Sequence, residues 1–263
     1  MKEVSLALII LIICVFSEKG TAGDAKKLCE VPLIVGWEHW EPFQFQNEQG
    51  TYTGLDLDIL QAIFAWTQCE LSFAERPWQR LLIDIQTGSV DILLGASKTA
   101  ERMDSSYFSQ PYRKEKMALY IRAEEKNNYT FKTLGEIVYL PFILGVTRGY
   151  YYGEEYEQLL KSRAFREQLV IVARDKQLYP LLLQGRINGF LAETYFVGYN
   201  FLNKDNSKRA IRYPLPLYES DIHVMFSRKT VPAELVTLFN RHLQELSAKG
   251  YLQKIKSKYC ADC

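Results

Sequence analysis

The sequence predicts an α/β protein of two similar lobes, each a mainly parallel sheet flanked by helices. Three observations carry the prediction. Apolar segments of strand length alternate with amphipathic segments of helix length from Leu33 to Leu191, the order that builds βαβ units. The run Ile92-Leu-Leu94 after Asp91 is apolar without alternation, as a strand covered on both faces requires. A pattern also recurs: Leu82…Gly88-Ser-Val-Asp-Ile-Leu-Leu-Gly95 is echoed by Leu181…Gly185-Arg-Ile-Asn-Gly-Phe-Leu-Ala192. Each copy reads as a helix, a glycine turn and a buried strand. The echo places Gly95 to Ser97 and Ala192 to Glu193 at equivalent points of two lobes facing one cleft.

Taken in order, residues 33–36 form a strand, followed by a loop holding Trp37, Trp40 and Phe43. Residues 46–52 have turn chemistry centred on Gly50. Gly54-Leu-Asp-Leu-Asp58 opens a helix that Asp56 or Asp58 can cap, with Leu57, Leu60 and Phe64 at helical spacing. Residues 71–73 are a strand, 78–87 a helix closed by Gly88, and 91–94 a strand. The apolar segment 117–121 carries the chain into the second lobe. There 142–146 is a strand with an exit loop at 148–153, 154–162 a helix, 169–172 a strand, 178–184 a helix and 189–191 a strand. Residues 217–226 return to the first lobe. The helix 232–248 has Leu235, Leu238, Phe239, His242 and Leu246 on one face and Gly250 as its cap.

The chain starts as a secretory signal: Lys2, an apolar stretch over residues 4–16, then Thr21-Ala-Gly23 with small residues for cleavage. A stretch of 13 residues is too short for a comfortable membrane span. Cys14 offers lipoprotein processing as an alternative, against the bulky Ile13 before it. Loss of residues 1–23 removes Lys2 and Lys19 together with Glu3 and Glu18, so the net charge stays at +1. That balance gives no electrostatic footprint for nucleic acid. Four cysteines remain, Cys29, Cys69, Cys260 and Cys263; in an exported chain they allow three full pairings. A tie from Cys29 to the C-terminal tail is one to test. Cys260-Ala-Asp-Cys263 reads as structural or incidental, because no helix follows to lower a thiol pKa. His39, His223 and His242 are scattered, and no metal-ligand spacing appears. No cofactor is expected.

The chemistry concentrates in Val90-Asp-Ile-Leu-Leu-Gly-Ala-Ser-Lys-Thr-Ala-Glu-Arg102 and Tyr107-Phe-Ser-Gln-Pro-Tyr112. Gly95 and Ala96 allow a ligand close to the backbone, Ser97 supplies a hydroxyl, and Arg102 supplies a planar fork for a carboxylate. Trp40 and Trp78 together can box a flat ring or a cation. Trp78 also has a core reading, and Trp37 divides between site edge and packing.

These segments resemble the bacterial family 3 solute-binding proteins, the periplasmic receptors of polar amino acid importers. The resemblance runs from Val35-Gly-Trp-Glu-His-Trp-Glu-Pro-Phe43 through Gly54–Asp58, 78–82, 90–112 and 181–193 to the helices of 236–259. It implies the type II periplasmic-binding-protein fold, with a ligand cleft between lobes. It divides the chain into a signal peptide (1–23), a first lobe in two parts (24–113 and 219–263) and a second lobe (114–218). By resemblance Trp40 and Trp78 are stacking walls, and Ser97 and Arg102 hold the carboxylate beside Gly95. The backbone near Tyr150 and Tyr151 contributes from the second lobe, and Glu193 stands where the family usually has an Asp for the ligand's amino group. Glu193 is one methylene longer than that Asp. Arg148-Gly-Tyr-Tyr-Tyr-Gly153 is bulky where the family has small hydroxyl residues. Both departures speak against a standard α-amino acid and leave a small carboxylate intact.

The expected function is therefore a monomeric periplasmic receptor that closes on a small carboxylate or amino acid for an ABC permease. Two other readings use the same fold. One is an enzyme similar to the cyclohexadienyl dehydratases, with Glu193 as general acid. The other is a ligand sensor for a membrane receptor.

Overall fold

In a computed structural model, residues 29, 31–67, 69–202 and 209–259 are described. The signal segment 1–23, Cys260 and Cys263 lie outside them.

Twelve strands occur along the described chain: β1 (Leu33–Trp37), β2 (Phe45–Gln46), β3 (Tyr52–Thr53), β4 (Leu71–Glu75), β5 (Ile92–Ser97), β6 (Ser106–Phe108), β7 (Arg113–Arg122), β8 (Leu144–Thr147), β9 (Leu169–Val172), β10 (Gly189–Glu193), β11 (Ala210–Arg212) and β12 (Glu219–Ser227). Eight follow one hydrogen-bonded path, β4-β1-β5-β12-β7-β10-β8-β9, with β6 on β12 and β11 on β7. β7 divides the path. Its residues Arg113 to Lys116 pair with β12, and Met117 to Ile121 pair with β10. One half holds the parallel set β4-β1-β5 and the other the parallel set β9-β8-β10. Antiparallel pairing enters with the crossing strands β7 and β12. This is the two-lobed, mixed α/β architecture of a periplasmic binding protein.

The helices follow from local sequence. α1 (Leu55–Phe64) buries Leu57, Leu60 and Phe64 as its spacing predicts. Its cap differs: neither Asp56 nor Asp58 caps the helix, and Gly54 stands at the start with φ 122°. A side chain there would collide with the Phe43 carbonyl oxygen, so the close approach of the preceding loop demands glycine. Asp58 instead accepts from the Tyr259 hydroxyl at 2.6 Å, and Asp56 pairs with Arg113. α2 (Trp78–Thr87) ends at Gly88 in the left-handed conformation, φ 81°. Gly185 repeats that turn at φ 68° before β10, and the internal echo is thereby a structural one.

α3 (Ala100–Ser105) follows β5, and Thr99 Oγ1 caps it by accepting from the Arg102 N–H. The helix expected over 154–162 breaks into α4 (Glu154–Leu159) and α5 (Arg163–Glu167), the second capped by Ser162. α6 (Leu178–Leu183) packs beneath β10, and α7 (Thr194–Val197) leaves its end. α8 (Ala233–Ala248) buries Leu235, Leu238, Phe239, His242 and Leu246 on one face. α9 (Tyr251–Tyr259) closes the described chain against α1 through Tyr259, whose hydroxyl takes the Gly54 N–H.

Cys29 is bonded to Cys69, with Cα atoms 5.6 Å apart. This corrects the tie of Cys29 to the C-terminal tail. The backbone hydrogen bond from Leu33 to Glu70, in register with the β1–β4 ladder, brings the two cysteines to the same end of the sheet. No helix among the described residues is long and apolar enough to cross a membrane.

Candidate binding site

The cleft lies at the carboxyl ends of the parallel strands, where open α/β sheets place their ligands. β1 delivers Glu38 and Trp40, β5 delivers Gly95 and Ser97, and β8 delivers Gly149 and Tyr150. These groups enclose a cavity of about 30 Å³ lined by Glu38, Trp40, Trp78, Arg102, Glu115 and Tyr150, with Gly95, Ser97 and Tyr151 also on its wall. Water occupies roughly 10–15 Å³ of such volume per molecule, so the cavity takes about two.

Seven of the eight residues singled out from sequence come together here: Trp40, Trp78, Gly95, Ser97, Arg102, Tyr150 and Tyr151. Gly95 has φ 74°, and a Cβ would lie 3.2 Å from the Trp40 ring and 3.4 Å from Asp56. Its glycine character thus seats Trp40 on the strand end. Trp40 packs on Phe43 at 4.4 Å between ring centroids. Trp37 is buried against Tyr52, edge to face at 5.4 Å, and is a packing residue.

Glu193 falls beside the cavity. Its carboxylate caps α7, accepting from the Phe196 N–H at 2.6 Å and from the Thr194 hydroxyl at 3.3 Å. It faces a wider groove near the hinge, about 770 Å³, that it shares with Arg113, Glu115 and Lys256. Burial raises its carboxyl, while those hydrogen bonds act in the opposite sense.

Two arginines are buried in the cleft and differ in their partners. Arg113 is 1% exposed and holds Asp56, 0% exposed, in a two-pronged pair: Nε to Oδ1 at 2.8 Å and Nη2 to Oδ2 at 3.2 Å. Its guanidinium lies over the Phe43 ring at 4.2 Å. Arg102 is 8% exposed and has no carboxylate within ion-pair distance among the described residues. Its Nη1 donates to the Ser97 carbonyl at 2.8 Å and its Nη2 to the Gly149 carbonyl at 3.0 Å. Burial lowers its pKa from the usual arginine range. A buried guanidinium held only by carbonyls is built to receive an anion.

Sequence reasoning passed over Glu38, Glu115 and Asp175. Glu38 accepts from the Trp78 backbone N–H at 3.1 Å and from the Tyr150 hydroxyl at 2.8 Å; burial pushes its carboxyl up to about 7. Glu115 stands between the cavity and the hinge groove, 3.6 Å from Arg113 Nη1, and burial pushes it up to about 7. Asp175, past the end of β9, is held well above the carboxylate range by burial and then by Glu38. Glu38 sits in Trp37-Glu-His-Trp40 between two buried tryptophans, while His39 beside it is half-buried.

The lobes touch through these groups. Trp78 Nε1 donates to the Gly149 carbonyl at 3.1 Å, beside Arg102. Arg174 pairs with Glu75 at 3.0 Å, and Asn200 Nδ2 donates to the Glu41 carbonyl at 2.7 Å. The described residues contain no group of acidic, histidine and cysteine side chains that can hold a metal.

Residues 33–262 match the sequence model of the bacterial extracellular solute-binding proteins, family 3. The L-cystine-binding protein TcyJ of Escherichia coli is 22% identical over 247 residues, covering 93% of this chain and 87% of that protein. The cyclohexadienyl dehydratase of Pseudomonas aeruginosa is 31% identical over 100 residues, covering 37% of this chain and 36% of the enzyme. Among solved structures, a histidine kinase sensor domain with similarity to periplasmic binding proteins superposes with a TM-score of 0.75 at 18% identity, covering 89% of this chain and 97% of that one.

Proposed function

Because the chain belongs to the bacterial extracellular solute-binding proteins, family 3, we propose that it captures a small amino acid or amino-acid-like carboxylate between its lobes and presents the closed form to an ABC importer. The observation that carries the ligand class is Arg102: a buried guanidinium at the end of β5, on the cavity wall, with carbonyl partners alone. A carboxylate brings the charge those carbonyls lack. Ser97 lies beside Arg102, and Trp40 and Trp78 form walls for the rest of the ligand.

Capture proceeds by hinge closure. In this reading residues 24–113 and 219–263 move as one lobe and 114–218 as the other, bending where β7 and β12 pair. Residues 1–23 direct export to the periplasm and are removed, and the receptor acts as a monomer. Glu193 serves by capping α7 and orienting the second lobe's wall, which favours binding over acid catalysis on that residue.

A thermal-shift screen of the mature protein against amino acids, small organic acids and prephenate tests this. A ligand at a hundred times its dissociation constant stabilises by about 2.7 kcal/mol, a rise of about 5–10 °C for a chain of this size. A rise with an amino acid or related carboxylate supports the proposal. A rise confined to prephenate, with turnover, replaces it with the dehydratase reading. A flat response across the panel refutes amino acid capture.

A further inference from the structure

The second lobe reaches into the first with one dipeptide. Gly149 has φ 79°, a conformation that favours glycine, and it turns its carbonyl toward lobe one. That oxygen accepts from both Arg102 Nη2 and Trp78 Nε1. The next residue, Tyr150, lays its ring edge-on to Trp40, with centroids 6.3 Å apart, and packs against the cluster that includes Trp78. Its hydroxyl donates to Glu38 at 2.8 Å, while the other oxygen of Glu38 accepts from the Trp78 N–H. Acceptor, ring and donor are thus presented in sequence to the carboxylate fork, the aromatic walls and the Glu38 carboxyl.

We propose that the Gly149–Tyr150 segment is an internal occupant of the ligand's place, and that Tyr150 is the residue that determines which molecules enter. An entering molecule competes with this segment. It must bring its own acceptor to Arg102 and Trp78, and its own donor to Glu38. A molecule with the acceptor but no far donor leaves Glu38 Oε1 buried without a donor, since only Oε2 keeps the Trp78 N–H, and is rejected for that reason. The Tyr150 ring fills the space beside Trp40 and against the cluster that holds Trp78. The inference rests on the cleft being the capture site, but its test reads the slot alone, without the natural ligand.

Tyr150→Gly removes the phenol and leaves the walls, and p-cresol carries the same ring and donor. Ten times its dissociation constant of p-cresol should raise the Tm of Tyr150→Gly by about 3–6 °C relative to wild type at the same concentration. Adding Glu38→Gln should weaken that rescue. A folded Tyr150→Gly protein that p-cresol does not stabilise, or an equal shift in wild type, overturns the proposal. If Tyr150→Gly does not fold, Tyr150→Phe decides: it keeps the ring and removes the donor. It should be as insensitive to p-cresol as wild type, yet show a larger radius of gyration in solution scattering as the lobes part. An unchanged radius overturns the proposal. Rescue by p-cresol in a protein that binds no amino acid would refute an amino acid as the ligand and leave Tyr150 as the occupant of the cleft.

Discussion

Replacing Asp56 by Asn tests the electrostatic frame of the cleft. Asn keeps the shape of Asp56 and removes its charge, leaving the Arg113 guanidinium without its two-pronged partner at 2.8 and 3.2 Å. Both side chains are fully buried, and breaking such a pair from one side costs about 3–5 kcal/mol. For a chain of this size that is a fall in Tm of about 6–20 °C. The loss depends on pH through Glu115, 3.6 Å from Arg113. Burial pushes Glu115 up to about 7, and the charge of Asp56 adds to that rise. Without Asp56, folded Glu115 gives up its proton at lower pH and becomes the counter-ion. The folded variant then binds fewer protons than folded wild type in that window, so its stability gains on wild type as pH rises. Urea unfolding at pH 6 and pH 8, followed by tryptophan fluorescence, reads both effects: the loss should be larger at pH 6. A loss below about 1 kcal/mol at pH 6, or one that grows with pH, refutes the reasoning.

Glu38 yields a second pH prediction. Its carboxyl stands at about 7 in the folded chain against 4.5 as the ordinary value, so the folded state binds the extra proton between those limits. Stability from this group is present below pH 4.5 and is lost as pH rises through 7. Glu38→Gln should flatten the decline of urea stability between pH 5 and 7.5, and an unchanged slope counts against the assignment. Opening the Cys29–Cys69 bond by Cys69→Ser frees a loop of sequence separation 40, and chain entropy puts the cost at about 4 kcal/mol; a midpoint in urea that does not move contradicts this. Gly95→Ala places a methyl 3.2 Å from Trp40 at φ 74°. It should destabilise by about 1 kcal/mol or more and shift tryptophan emission, and a neutral substitution would show that Trp40 is not seated on that backbone.

Local features of the fold were readable from local residues. Gly88 and Gly185 end two helices with the same left-handed turn, and each is followed by an apolar strand, so the two lobes announced themselves as a repeat. The segment 169–172 reads as a strand because Leu-Val-Ile-Val has no other use in so short a run, and β9 spans those residues. Contacts set by the assembled sheets were not readable. Asp56 lies 57 residues from Arg113, and its place in the first helical turn mimics a cap. β5 continues past Leu94 to Ser97 because Ala96 and Ser97 pair with His223 and Ile222 of β12, strands far apart in sequence. Of the site, Arg102, Trp40 and Trp78 stood out by residue type, and they line one cavity. Glu38 was not, since a lone acid in a loop carries no mark of the Trp78 and Tyr150 donors that later meet it.

In the proposed receptor Arg102 holds the ligand carboxylate. Titration calorimetry on wild type and Arg102→Ala, each with the best amino acid from the screen and with its carboxamide, tests it most directly. Arg102→Ala should weaken the acid by about 100- to 1,000-fold, and the carboxamide, already weak on wild type, should lose far less. Equal losses for acid and amide, or an acid that binds Arg102→Ala as tightly as wild type, would contradict it.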